Sequence, residues 1–382
     1  MRTHHGMFTA ALAALIVFGI GCAERPSEPS TPVLPVGEAI TIEPPLGLPP
    51  VAIPDDNPPT AETIALGRAL YYDKRLSIDN TIACASCHDP EAGFADSNQF
   101  SEGVNGQKGG RQAPPVMNAA YFTTQFWDGR AASLEEQAGG PVENPIEMAF
   151  THEGVEERLN EDPVYVEKFK AAWGEGPIVF EMVAKSIASF ERTVLVGNSP
   201  FDRYLFGDDE EAMSEDAIRG LELFRDPEKG NCEVCHTIDE EQGFALFTDN
   251  KFHNLGVGAE LDGSFADIGR FEQTEVETDT GAFKTPHLRN IADSAPYMHD
   301  GHLNTLKDVL DFYIGAGNSN DFRDEEIHEL DHLTAQERTD ILAFMEALSG
   351  EYPPNVGAPD GDMAYRDVPE SSLARGCFRS KI

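Results

Sequence analysis

Basic residues are scarce in this sequence. Lys and Arg total 28 against 67 Asp and Glu, a formal net charge of −39. A surface this acidic repels nucleic acid and anionic membranes, which speaks against both as partners. It suits a basic protein partner, or solubility alone. Long hydrophobic runs are missing too. The stretch from Thr9 to Ile20 is apolar but too short to cross a bilayer. No segment alternates apolar and polar residues over strand length, so extensive sheet is not expected. Apolar residues still make up 40% of the chain, enough for packed cores.

What is present begins with an expected export signal. Arg2 supplies a basic start, the apolar run follows, and Gly19-Ile20-Gly21-Cys22 resembles a bacterial lipobox. Residues 1–21 then read as a signal peptide and Cys22 as a lipid anchor, with an ordinary cleaved signal as the alternative. Either places the chain in the periplasm, and the first as a membrane-anchored lipoprotein. Residues 22–59 are proline-rich and read as an extended linker, with order beginning near Thr60.

Beyond the linker a weak repeat appears. ALGRALYYD precedes one motif, and RGLELFRD, Arg219 to Asp226, precedes another. The periodicity predicts helices from Thr60 and over Val155–Asn160, Val164–Trp173, Ile178–Val196, Leu306–Ile314 and Thr334–Leu348. Thr334 and Glu337 have capping-box spacing, and Gly350 follows that last helix. Long loops lie between them. With Cys84-x-x-Cys87-His88 after the first repeat and Cys232-x-x-Cys235-His236 after the second, a spacing that suits covalent haem, the expected fold is mainly α: two tandem cytochrome c-like haem domains, 60–205 and 206–350, followed by a tail, 351–382.

The motifs themselves are Cys84-x-x-Cys87-His88 and Cys232-x-x-Cys235-His236. This spacing suits covalent haem c, with two thiols for the vinyl groups and the next imidazole for the iron. A redox cysteine pair or half a zinc site are the alternatives. Two separate copies behind an export signal favour haem, with His88 and His236 as the proximal ligands. Cys377 stands alone in the tail with its role open.

Around these motifs the chain resembles the bacterial dihaem cytochrome c peroxidase family, including its MauG-like branch. The matching stretches are LGRALYYDKRLS, CASCHDP, FWDGRAASLEEQAGGPVENPIEM, NCEVCH, FTDNKFHNLG, FKTPHLRN and APYMHDG, in that order over roughly residues 60 to 350. The resemblance implies a peroxide-reactive N-terminal haem and an electron-transferring C-terminal haem. It implies that Trp127 lies between them. It also implies that Glu147, Gln137 and Pro141 line the peroxide site. O–O cleavage requires a proton to move from the near peroxide oxygen to the leaving one, and a positioned carboxylate can do this.

Two departures follow. Many relatives carry a histidine that closes the peroxide site; the matching position here is Val104, and Asp89 to Pro115 contains no histidine. The site is therefore expected to be open even in the oxidised protein. Where other members place a methionine ligand, counting from Gly301 reaches Tyr313, and MauG-like members carry tyrosine there. Met298 and His299 are the competing ligands. The family's calcium position maps to Gln112, Ser294 and Pro296. No firm role attaches to His253.

The function these features imply is reduction of hydrogen peroxide with electrons from a small cytochrome c or cupredoxin. One alternative is MauG-like, peroxide-dependent oxidation of side chains such as tryptophan on a partner protein. Another is a dihaem electron-transfer cytochrome with no catalysis.

Overall fold

Residues 33–59 enter the fold as a docked strap rather than a loose tether. The computed structural model describes residues 33–260, 262 and 264–359. The expected export signal, Cys22 and Cys377 lie outside them. Proline removes amide donors but leaves carbonyls free, and the strap uses those carbonyls. Leu46 O accepts from Asn198 N at 2.8 Å, Gly47 O from Ala245 N at 3.1 Å, and Pro49 O from the Tyr121 hydroxyl at 2.8 Å. The strap is extended, as expected, but order begins well before Thr60.

The helices are α1 (Ala61–Tyr71), α2 (Cys84–Cys87), α3 (Leu134–Glu143), α4 (His152–Asn160), α5 (Pro163–Trp173) and α6 (Phe180–Glu191). They continue with α7 (Pro200–Phe206), α8 (Glu215–Arg225), α9 (Phe271–Thr274), α10 (Leu306–Ile314) and α11 (Ala335–Glu346). Their starts are chemically marked. Thr60, Ser133, Thr151, Ser199, Ser214, Thr305 and Thr334 each accept a backbone amide at an N-cap. Thr334 and Glu337 form the expected reciprocal box. Gly350 has a different job: an added Cβ there would lie 2.1 Å from Gly197 O. It permits close backbone approach rather than capping α11.

The mainly α expectation holds. Among the described residues the named strands are only β1 (Phe252–His253) and β2 (Phe283–Lys284), antiparallel with Phe252 opposite Lys284. α6 ends earlier than its apolar pattern suggests. The chain after it leaves the helix to bond Asn118, through Asn118 N to Val194 O and Val196 N to Asn118 Oδ1, both 2.9 Å. α3 was not anticipated, because Gly139, Gly140 and Pro141 disguise it.

Two similar helix pairs carry the two hydrophobic cores. α1 lies on α6, and α8 lies on α11. A Cβ at Gly67 would meet Ser186 O at 1.8 Å and Phe190 Cβ at 3.0 Å. A Cβ at Gly220 would meet Asp340 O at 2.0 Å and Phe344 Cβ at 2.8 Å. The repeat seen in the sequence is thus a packing device: one glycine lets a helix touch its partner's backbone. The first core gathers Leu66, Leu70, Tyr71, Phe94, Val183 and Phe190; the second gathers Phe201, Phe224, Phe247 and Phe344.

Buried polar ties join segments far apart in sequence. Arg289 is fully buried, pairs with Asp202 at 2.7 Å, and donates to Gly47 O at 2.6 Å and Ala245 O at 2.8 Å. Arg111 bridges Asp128 and Asp267, each at 2.6 Å.

Candidate functional site

The short helix α2 carries the first cysteine pair and ends on His88. Both thiols are unpaired, as are Cys232 and Cys235. His88 Nδ1 donates to Pro114 O at 3.0 Å, and His236 Nδ1 donates to Phe247 O at 2.8 Å. A carbonyl can only accept, so each ring has its proton on Nδ1 and its lone pair on Nε2. Burial lowers the pKa of both imidazoles, and the neutral ring is the ligating form. Two free thiols followed by an Nε2-open histidine, twice over, form the donor set that a covalent haem requires.

Glu147 follows α3 in a tight turn. Asn144 Nδ2 donates to Glu147 Oε1 at 2.7 Å. Desolvation raises the carboxyl above its usual pKa, while the Arg130 guanidinium and the Asn144 bond oppose that rise. Glu147 and Cys87 are close enough to interact electrostatically. Gln137 and Pro141 lie on the same helix. Pro141 has no amide to offer the Gln137 carbonyl one turn earlier.

Val104 lies against this glutamate. Its amide donates to Glu147 O at 2.8 Å, and its side chain is buried. A Cβ at Gly103 would lie 2.0 Å from Ile146 O and 2.7 Å from Glu147 Cα. The loop is therefore pinned to the Glu147 turn, with the aliphatic Val104 buried against it.

A cleft opens around the second motif. Cys232, Cys235, His236, Tyr313, Met298 and His299 line it, and so does Trp127. Tyr313 comes from the last turn of α10. Burial raises its hydroxyl pKa, and so do the neighbouring cysteines. Trp127 Nε1 donates to Gln112 O at 2.9 Å, and its carbonyl accepts from Lys284 N at 2.8 Å. Trp127 therefore ties the Gln112 segment to β2. Gln112, Ser294 and Pro296 reach the same cleft wall. The Gln112 amide nitrogen donates to Asp96 O at 3.2 Å, which leaves its side-chain oxygen unused by the protein.

Sequence reasoning left several neighbours without a firm role. The His299 ring stacks on Phe283 at 3.5 Å and meets Trp127 edge-on at 6.5 Å. Buried Lys284 points its ammonium at the Phe122 ring, 3.6 Å away, and donates to Thr124 O at 2.7 Å. Burial pushes that ammonium down to about 7. His253 lies between Asp249 at 2.9 Å and Asp324 at 2.5 Å. Only tertiary packing brings these groups to the cleft.

Comparison with known proteins agrees with this geometry. A family profile described as di-haem cytochrome c peroxidase matches residues 61–210. The methylamine utilization protein MauG of Methylorubrum extorquens is 40% identical over 299 residues, covering 78% of this chain and 81% of that one. Cytochrome c551 peroxidase of Pseudomonas aeruginosa is 36% identical over 293 residues, covering 75% and 79%. A solved structure of a MauG-like protein associated with microbial copper homeostasis superposes with a TM-score of 0.75 at 34% identity, over 82% of this chain and 96% of that one.

Proposed function

The chain belongs to the dihaem cytochrome c peroxidase family, in its MauG-like branch, and we propose that its N-terminal haem site reduces hydrogen peroxide with Glu147 as the proton-transfer group. The haem, held by Cys84, Cys87 and His88, supplies the iron on which peroxide binds and from which it takes electrons. The protein does the rest. The Glu147 carboxylate accepts the proton of the near peroxide oxygen and returns it to the far oxygen, which leaves as water. Burial favours the proton-bearing form, so the acid is ready to give the proton back. Gln137 would offer an amide to peroxide, and Pro141 would line the wall beside it.

Electrons arrive through the second haem, held by Cys232, Cys235 and His236. Trp127 couples the two sites. Tyr313 would join His236 in holding the second iron in this reading, and an anionic phenolate would favour its oxidised states. Calcium at Gln112, Ser294 and Pro296 belongs to the same proposal, because hard oxygen ligands suit that ion. An extracytoplasmic location, with Cys22 as a lipid anchor, rests on residues 1–22. The donor is a basic cytochrome c or cupredoxin, matched to the acidic surface.

The observation that carries the reading is Val104. It packs against the Glu147 turn in a loop with no histidine, so the protein holds no imidazole there to close the site. The same observation favours a second reading, peroxide-dependent oxidation of a side chain on a partner protein, as in the MauG-like branch. One experiment separates an open site from a closed one. Peroxide is added to the fully oxidised holoprotein and the spectrum recorded in the stopped flow. Rapid change at both haems is expected. No reaction until one haem has been reduced would refute the open site.

A further inference from the structure

We propose that Glu191 is the redox-linked proton site of the N-terminal haem: a carboxylic acid buried within electrostatic reach of Cys84, which releases its proton when the iron loses an electron. The proposal rests on haem attachment at Cys84 and Cys87, and not on what the haem does with peroxide.

Glu191 ends α6 and is 3% exposed. Its Oε2 has no hydrogen-bond partner among the described residues. The adjacent Arg192 does not neutralise it, because that guanidinium is committed to Glu135 at 2.7 and 3.1 Å. A buried carboxylate with no cation or donor is strongly disfavoured, so the group holds its proton. Burial pushes it up to about 8. The titratable and charged groups facing it are Tyr71 from α1, Cys84 from α2, Glu135 from α3 and Arg192 from its own helix. The Tyr71 hydroxyl is already spent on His88 O at 3.0 Å, and Cys84 becomes an uncharged thioether once haem is attached.

The two-fold likeness of the lobes gives independent support. Gly67 meets Ser186 and Phe190 just as Gly220 meets Asp340 and Phe344. The residue after Phe190 is Glu191; the residue after Phe344 is Met345. Met345 lines the cleft of His236 and Tyr313. The equivalent wall position beside the first haem is therefore an acid where the second haem has a thioether side chain. Oxidising the iron adds positive charge to this enclosed site, and losing the Glu191 proton removes it. The electron goes to the added oxidant, the carboxyl O–H bond breaks, and the proton goes to solvent. Reduction reverses both.

The test is a spectroelectrochemical titration of the holoprotein between about pH 6 and pH 10, spanning the shifted carboxyl. The potential of the N-terminal haem should fall with pH, by up to about 59 mV per unit for one proton per electron. Glu191→Gln and Glu191→Met should flatten that slope and hold the potential near the wild-type value at low pH. The C-terminal haem should keep its own pH profile in both variants. A wild-type potential independent of pH, or a slope unchanged in the variants, overturns the proposal. Should neither variant load haem, the wild-type infrared difference spectrum between redox states decides. A deuterium-sensitive band of a protonated carboxylic acid must appear there, and its absence overturns the proposal.

Discussion

Glu147→Gln is the sharpest test of the chemistry. Glutamine has nearly the same shape, and its amide oxygen can still accept from Asn144 Nδ2, now at 2.7 Å from Glu147 Oε1. The Glu147 carbonyl, which holds the Val104 loop, is untouched. Removing a carboxyl that burial already penalises should leave the thermal midpoint unchanged or slightly raised. What is lost is proton transfer, worth about 10²- to 10⁴-fold in rate, or roughly 3 to 5 kcal/mol of barrier. The assay is stopped-flow mixing of peroxide with the oxidised holoprotein, with the resting spectra compared first. The wild-type rate should also depend on pH with a definite sign. The carboxylate is the active form, and its pKa is raised, so the rate falls as pH drops through that raised value. Glu147→Gln should be slow and flat over the same range. A variant within about threefold of wild type, with the same acid limb, would refute Glu147 as the proton-transfer group.

Four further outcomes follow from the geometry. Arg130 favours the Glu147 carboxylate, so Arg130→Gln should move the acid limb of the rate to higher pH, modestly because that guanidinium is partly exposed; a limb that stays or moves down contradicts the pairing. Tyr313→Met should change the spectrum of the C-terminal haem and raise its potential, since methionine opposite histidine favours the reduced iron; an unchanged spectrum removes Tyr313 as its ligand. Gly47→Ala should cost about 2 to 4 kcal/mol on chemical denaturation, because φ is +85° and the new Cβ would lie 1.8 Å from Asp202 Oδ1; an unchanged midpoint would mean that the strap does not hold the Arg289–Asp202 tie. With a net charge of −39, turnover with a basic cytochrome c should fall steeply as salt is raised, which initial rates across ionic strength will read. A salt-independent rate would set aside electrostatic steering.

Much of this protein could be read from its sequence where the chemistry is local. Cys84, Cys87 and His88 declare a haem because three consecutive bonds to one cofactor demand that spacing. The helices over 155–160, 164–173 and 306–314 could be read because a 3.6-residue apolar rhythm is local too. Glu147, Gln137 and Trp127 are chemically ordinary by themselves, and only the resemblance of the surrounding motif singled them out. What stayed hidden depends on distant partners. The strap looked like a tether because proline-rich sequence has no rhythm, and its binding lies in carbonyls that every residue possesses. α3 was hidden by Gly139, Gly140 and Pro141, whose propensities oppose the helix that tertiary packing enforces. Lys284 and Glu191 gave no signal, since burial is not a property of a side chain's neighbours in sequence.

The weak repeat proves the most informative feature once its packing is known. Gly67 and Gly220 perform the same task, so the residues around them can be compared position by position. One lobe sets Tyr71 and Glu191 beside its helix contact; the other sets Phe224 and Met345 there. A hydroxyl and a carboxylic acid near one cofactor, against two apolar side chains near its twin, make the two environments chemically unequal while the scaffold stays the same. Peroxide reduction consumes protons, whereas passing an electron along does not. The lobe that holds Glu147 is also the lobe that holds the extra buried acid. The division of labour between the two haems is thus written in which wall positions can carry a proton, and Glu191 is where that division can be measured.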